Sequence, residues 1–157
     1  KGRFKSIRII PENPGARKES LDAIAEAEWI TMGPGSWFSS VIPHLLVPAQ
    51  REAIISSKAK KILLLNLDIA DQSAGEYAGY SPLEHLAILN EYAPALKFDL
   101  VVVDSTTAGQ EELKSHLSTL GSEFLSADLR SSTSPLHHDV KKLASLFSHI
   151  DSQILVG

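Results

Sequence analysis

Trp29-Ile30-Thr31-Met32-Gly33-Pro34-Gly35-Ser36-Trp37-Phe38-Ser39-Ser40 is the stretch that decides the fold. Four strand-like residues run straight into a bend built from two glycines and a proline. In open α/β sheets ligands bind outside the carboxyl ends of the strands, so a bend placed there marks a candidate site. Gly33 and Gly35 permit backbone angles and close approaches that a side chain would block. Consecutive N–H groups in such a bend can nest an anion, and Ser36, Ser39 and Ser40 add hydroxyl donors. The same residues also suit a plain strand-to-helix turn with capping serines. No lysine follows as in a P-loop, and the spacing is not the dinucleotide fingerprint.

Working outward, strands and helices alternate. Ser6 to Ile10 reads as a strand closed by the turn from Pro11 to Gly15, and Glu19 to Glu28 as an amphipathic helix carrying Leu21, Ile24, Ala25 and Ala27. Pro48 to Ser57 predicts a helix with Ala53 and Ile54 inward. Ile62 to Leu67 and Leu100 to Asp104 are nearly continuous apolar runs, the mark of strands covered on both faces. Ser81-Pro82-Leu83-Glu84 is a helix-start signature, and that helix should turn Leu83, Leu86, Ala87 and Asn90 to one side. Glu111 to Leu120 predicts a helix ended by Gly121. Phe124-Leu125 is a short strand, Val140 to Ile150 a last helix with Val140, Leu143, Ala144 and Phe147 inward, and Ile154 to Val156 a final strand or tail. The economical architecture is a Rossmann-like, doubly wound, mainly parallel sheet, with residues 1–157 forming one α/β domain.

Composition narrows the function. The chain has 157 residues, 43% hydrophobic and 22% charged, which is globular rather than disordered. A net charge of -4 argues against a general nucleic-acid binder, since neutralising phosphates needs surplus Lys and Arg. There are no cysteines, which excludes disulfides and thiolate chemistry and fits a reducing compartment. No apolar run is long enough to span a bilayer, so the expectation is a cytoplasmic protein without a membrane span.

Two further stretches carry candidate chemistry. Asn66, at the end of the Ile62 run, opens the loop to Tyr80, where Gly75, Glu76 and Gly79 suit an active-site loop. Asn66 is placed either to donate to a ligand or to cap its own turn. His85 reads as a packing residue on the following helix. Before the last helix, Ser131 to Asp139 contains His137 and His138. Adjacent histidines rarely point the same way, so a metal is not expected there. The reading is that one of them donates to an anion while Asp139 or a serine caps the helix. Asp68, Asp71, Asp99 and Asp104 show no spacing that pairs a general acid with a base.

Taken together, Gly33 to Pro48 resembles the signature GPGSxxTSxxPNLLVP of the YvcK branch of the CofD-like family. Asn66 at a strand's end, the element Gly75 to Tyr80, His85, and Leu136-His137-His138 extend the likeness. The resemblance implies a CofD-like Rossmann fold and binding of a UDP-sugar such as UDP-N-acetylglucosamine. It implies a regulatory role in carbon metabolism, cell-wall precursor supply and cell shape, with no established reaction. Its ligand-binding residues would be Gly33, Gly35, Ser36, Ser39, Ser40, Asn66 and His137. The alternative from the family's other branch is a phospholactate transferase, moving a phospholactyl group from a nucleotide donor to a deazaflavin precursor with Mg2+. The family's GGGTG and DDGGSSG elements do not occur here, so the chain is expected to be the C-terminal part of a larger domain. Ser39 stands where the family has Thr, Tyr77 where its GET pattern has Thr, and His137 where many relatives have Arg. A homo-oligomer built on exposed Trp37, Phe38, Leu45 and Leu46 is a further expectation.

Overall fold

Ile62, Leu63, Leu64 and Leu100 to Val103 are all buried to 2% exposure or less, and the molecule is arranged around them. The computed structural model describes residues 6–67, 80–134 and 136–153. These apolar runs form the two central strands of a four-stranded parallel sheet, β1 (Trp29–Met32), β2 (Lys60–Leu64), β3 (Leu100–Asp104) and β4 (Glu123–Ala127), in the order β1-β2-β3-β4. Met32 lies opposite Leu63, Leu64 opposite Val102, and Val102 opposite Leu125.

Alternation along each strand divides the core in two. Met32, Leu63, Leu65, Val101 and Val103 face one cluster, and Ile62, Leu64, Leu100 and Val102 face the other. Right-handed crossovers in a sheet that grows in one direction place the connecting helices on one face. Accordingly, Ile54 of α3 (Pro48–Ser56), Leu89 of α4 (Pro82–Tyr92) and Leu113 and Leu117 of α5 (Gln110–Leu120) all enter the first cluster. The short α2 (Ile42–Leu45) adds Ile42 and Leu45, and α1 (Lys18–Glu26) packs beside α3. Among the described residues, α6 (Val140–Gln153) is the helix that covers the second face, through Leu143, Leu146, Phe147 and Ile150. Burying each such side chain is worth about 1.5–3 kcal/mol.

Local signals behave as their chemistry dictates. Glu84 N–H donates to Ser81 Oγ at 3.2 Å while Ser81 N–H donates to Glu84 Oε2 at 2.7 Å, a complete capping box with Pro82 behind it. Gly121 ends α5 in the left-handed region, at φ 74°.

Several expectations are corrected. Ser6 to Ile10 joins no strand. Ile7 is instead fixed by its N–H, which donates to the Tyr92 hydroxyl at 3.0 Å, and its side chain packs on the first core. β2 starts at Lys60 and ends at Leu64, before the predicted Leu67, with the Leu65 N–H still donating to the Val102 carbonyl at 3.0 Å. α4 turns His85 and Leu89 inward and exposes Ala87 and Asn90, so the buried stripe runs through the histidine and not through the predicted Ala87 and Asn90. On α6 the stripe is Leu143, Leu146, Phe147 and Ile150, with Val140 at 79% exposure on the first turn and Ala144 also exposed. Ile154 to Val156 lie outside the described residues.

Gly33 joins sheet to bend, at φ +75°, and a Cβ there would sit 2.3 Å from the Leu64 carbonyl oxygen. Gly33→Ala should therefore destabilise the chain by about 2–4 kcal/mol in urea unfolding. Gly15→Ala, with open space around it, should change stability by no more than about 0.5 kcal/mol. Equal unfolding midpoints for the two variants would refute the close-approach argument.

Candidate functional site

Four parallel strands deliver their exits to a single edge of the sheet, and two side chains hold the exits together there. The first couples the exits of β1 and β2. After Gly33 the chain passes a cis peptide to Pro34 and reaches Gly35, whose N–H donates to Asn66 Oδ1 at 2.8 Å. Asn66 Nδ2 donates in return to the Gly35 carbonyl at 2.8 Å. Ser36 then starts a π-helical turn, Trp37–Val41, with its Oγ accepting from Ser39 N–H at 3.1 Å and its carbonyl accepting from Ser40 N–H at 2.8 Å. Ser39 and Ser40 have exposed side chains on that turn. Gly33, Gly35, Ser36, Ser39, Ser40 and Asn66 thus form one assembly.

Two parts of the expectation change. The Gly35 amide and one N–H of the Asn66 carboxamide are committed to each other's residue, so the Gly35 N–H is not presented to a ligand in this structure. Trp37 and Leu45 are buried, at 2% and 0% exposure, so they do not form the exposed apolar surface on which the homo-oligomer was expected to rest. Trp37 stacks on His85 with ring centroids 5.0 Å apart and 20° between planes, and Tyr80 lies against the same imidazole at 5.9 Å. His85 packs, as expected, and ties α4 to the turn. Gly75, Glu76, Tyr77, Gly79, Asp68 and Asp71 lie outside the described residues.

The second coupling joins the exits of β3 and β4 through Asp104, which is fully buried. Its Oδ1 accepts from Thr106 N–H at 3.0 Å and from the Thr106 hydroxyl at 2.5 Å, and its Oδ2 accepts from Leu129 N–H at 2.9 Å. The Arg130 guanidinium stands 3.6 Å from Oδ1 and donates to Thr106 Oγ1 at 3.0 Å. Burial pushes the carboxyl group up, but the Thr106 hydroxyl, the two amides and Arg130 outweigh it and hold the pKa below its ordinary value.

His137 hangs from this second coupling. Arg130 and His138 bridge in antiparallel fashion, Ser131 N–H donates to the His137 carbonyl at 3.0 Å, and Asp139 N–H donates to the Leu129 carbonyl at 2.8 Å. His137 is exposed, its Nδ1 2.6 Å from Ser134 Oγ, whereas His138 is half-buried. The neighbours diverge, as a chain alternating inside and outside requires. Burial lowers the His138 pKa, Asp104 pulls it back up and Arg130 adds to the lowering. Asp139 caps α6, accepting from Lys141 and Lys142 N–H at 2.9 and 3.1 Å. No hydrogen bond among the described residues joins His137 to the Gly33–Ser40 turn. Among those residues no three His, Asp or Glu side chains converge as metal ligands would, and no helix is long and apolar enough to cross a membrane.

Sequence reasoning missed the Asp104–Arg130 pair. An acid ending an otherwise apolar strand was the visible signal. Its partner, across α5 and β4, has no characteristic spacing.

With this geometry in place, the family described as 2-phospho-L-lactate transferase CofD matches residues 1–150. The chain belongs to the CofD family. The gluconeogenesis factor of Bacillus subtilis is 30% identical over 92% of this chain and 49% of its own length. A Mycobacterium tuberculosis protein carrying that name provisionally is 35% identical over 95% of this chain and 44% of its own. A Bacillus halodurans crystal structure, a member of the UPF0052 family, superposes with a TM-score of 0.77 at 26% identity, covering 93% of this chain and 50% of that one. The chain therefore spans about half the length of these relatives.

Asp104 supplies a test through pH. Because its folded pKa lies below the unfolded one, the carboxylate stabilises the fold above the unfolded value, near 3.8, and that stabilisation is lost as pH falls through the folded value. Asp104→Asn should cost about 2–3 kcal/mol at neutral pH and flatten the acid limb of stability below about pH 4. Denaturant titrations across pH would show it; an acid limb as steep as wild type would reject the assignment.

Proposed function

We propose that the Gly33–Ser40 turn grips the phosphate oxygens of a nucleotide-activated sugar, a UDP-sugar such as UDP-N-acetylglucosamine. Through that ligand the protein acts as a cytosolic regulator of carbon metabolism, cell-wall precursor supply and cell shape. One observation carries the reading. A bend that only glycine can make beside the Leu64 carbonyl sets Ser36, Ser39 and Ser40 at the carboxyl edge, where such sheets bind ligands. Ser36, Ser39 and Ser40 are the direct contacts, with His137 as a further donor, while Gly33, Gly35 and Asn66 shape the turn. The gluconeogenesis-factor names of relatives favour the carbon-metabolism part of the role.

Magnitudes limit what this chain does alone. Each neutral hydrogen bond nets about 1 kcal/mol, and a micromolar affinity needs about 8 kcal/mol. Ligands of doubly wound sheets lie where strand order reverses, and the four described strands run in order without a reversal. Residues 1–157 by themselves should accordingly bind UDP-N-acetylglucosamine weakly or not at all. In the native protein, Ser39→Ala with Ser40→Ala should lower affinity about ten-fold in calorimetry while leaving thermal stability unchanged. An unaltered affinity would remove the turn from the ligand site.

The family's own description favours a second reading, transfer of a phospholactyl group to a deazaflavin precursor. Among the described residues no three His, Asp or Glu side chains converge to hold the Mg2+ that reaction calls for. Product formed by the native protein from a deazaflavin acceptor would favour this reading over the binder.

A further inference from the structure

β1 and β2 stop pairing at Met32 and Leu63, yet their chains touch again beyond that point. Gly33 lies against the Leu64 carbonyl, and Gly35 is bound at both N–H and C=O by the side chain of Asn66. A carboxamide offers a donor and an acceptor at the spacing of a peptide group, so Asn66 continues the ladder with its side chain after the backbone has left it. Gly35 has φ +151°, a conformation that L side chains rarely adopt, and it immediately precedes Ser36, whose Oγ and carbonyl organise Ser39 and Ser40. Aspartate would keep the acceptor and lose the donor; glutamine would be a methylene too long.

We propose that Asn66 is a positioning residue: its two-point clasp on Gly35 sets the direction in which the Ser39 and Ser40 hydroxyls point, and it does not itself touch the ligand. The proposal rests on the anion-binding reading of the turn for its functional meaning and on the clasp for its structural one. The two are separable by experiment.

The test uses the native protein, isotopically labelled, with the variants Asn66→Ala and Asn66→Asp. Amide exchange at Gly35 and the amide shifts of Ser39 and Ser40 report the turn, and calorimetry with UDP-N-acetylglucosamine at low and high salt reports binding. In Asn66→Ala, Gly35 exchange should quicken at least ten-fold, the Ser39 and Ser40 shifts should move, and affinity should fall about ten-fold. In Asn66→Asp, Gly35 exchange should stay slow because the acceptor remains. The serine shifts should still move, and the affinity lost should not be recovered at high salt, as it would be if charge repulsion were the cause. If Asn66→Ala does not fold, these Asn66→Asp readouts decide alone. Affinity lost with the Gly35 exchange and serine shifts unchanged would make Asn66 a direct contact and overturn the proposal. A disturbed turn with affinity intact would overturn it as well. If wild type binds no UDP-sugar, the anion reading fails by itself, and the exchange and shifts still determine whether Asn66 sets the turn.

Discussion

Where strands leave a sheet, their peptide groups lose the partners that the ladder supplied, and buried groups cannot be left without new ones. At the carboxyl edge of this sheet two side chains supply them. Asn66 takes up both polar groups of Gly35, and Asp104 takes up the amides of Thr106 and Leu129. Each joins the exits of adjacent strands, the first beside the serine turn and the second beside the segment that carries His137. Everything proposed for the edge depends on these two connections holding. They are of different kinds. The neutral carboxamide pairs as a peptide would, while the carboxylate depends on its ionised state and on Arg130 beside it.

Much of the fold was legible because its signals are local. Continuous apolar runs gave β2 and β3, the Ser81 to Glu84 box gave the start of α4, and Gly121 gave the end of α5. What failed were the helix faces. Ala87 and Asn90 of α4 face outward, while the stripe runs through His85, whose aromatic neighbours Trp37 and Tyr80 lie outside that helix. Val140 was read as inward although the capping Asp139 leaves it on a first turn that projects past the core.

The candidate site was legible as a place and not as a set of contacts. The glycines of the bend marked where the chain must turn. That Gly35 and Asn66, 31 residues apart, spend their polar groups on one another is decided by the β1–β2 register. The same holds for Asp104 and Arg130, whose meeting depends on the pairing of β3 with β4. Family membership and a TM-score of 0.77 to a relative from Bacillus halodurans agree with the strand-turn reading from which the fold was built.

The two faces of the sheet are protected unequally. Among the described residues the five helices α1 to α5 share the first, whereas the second owes its helical cover to α6, held at its start by Asp139 and by Lys142, whose Nζ reaches Asp128 and the Arg130 carbonyl. Lifting that one helix would strip Leu143, Leu146, Phe147 and Ile150 from Ile62, Leu64, Leu100 and Val102 together. The last helix in the described chain thus behaves as a lid on the hydrophobic interior, and its attachment point lies beside Arg130 and the segment bearing His137. Any ligand that steadies that segment would at the same time guard the molecule against opening from behind.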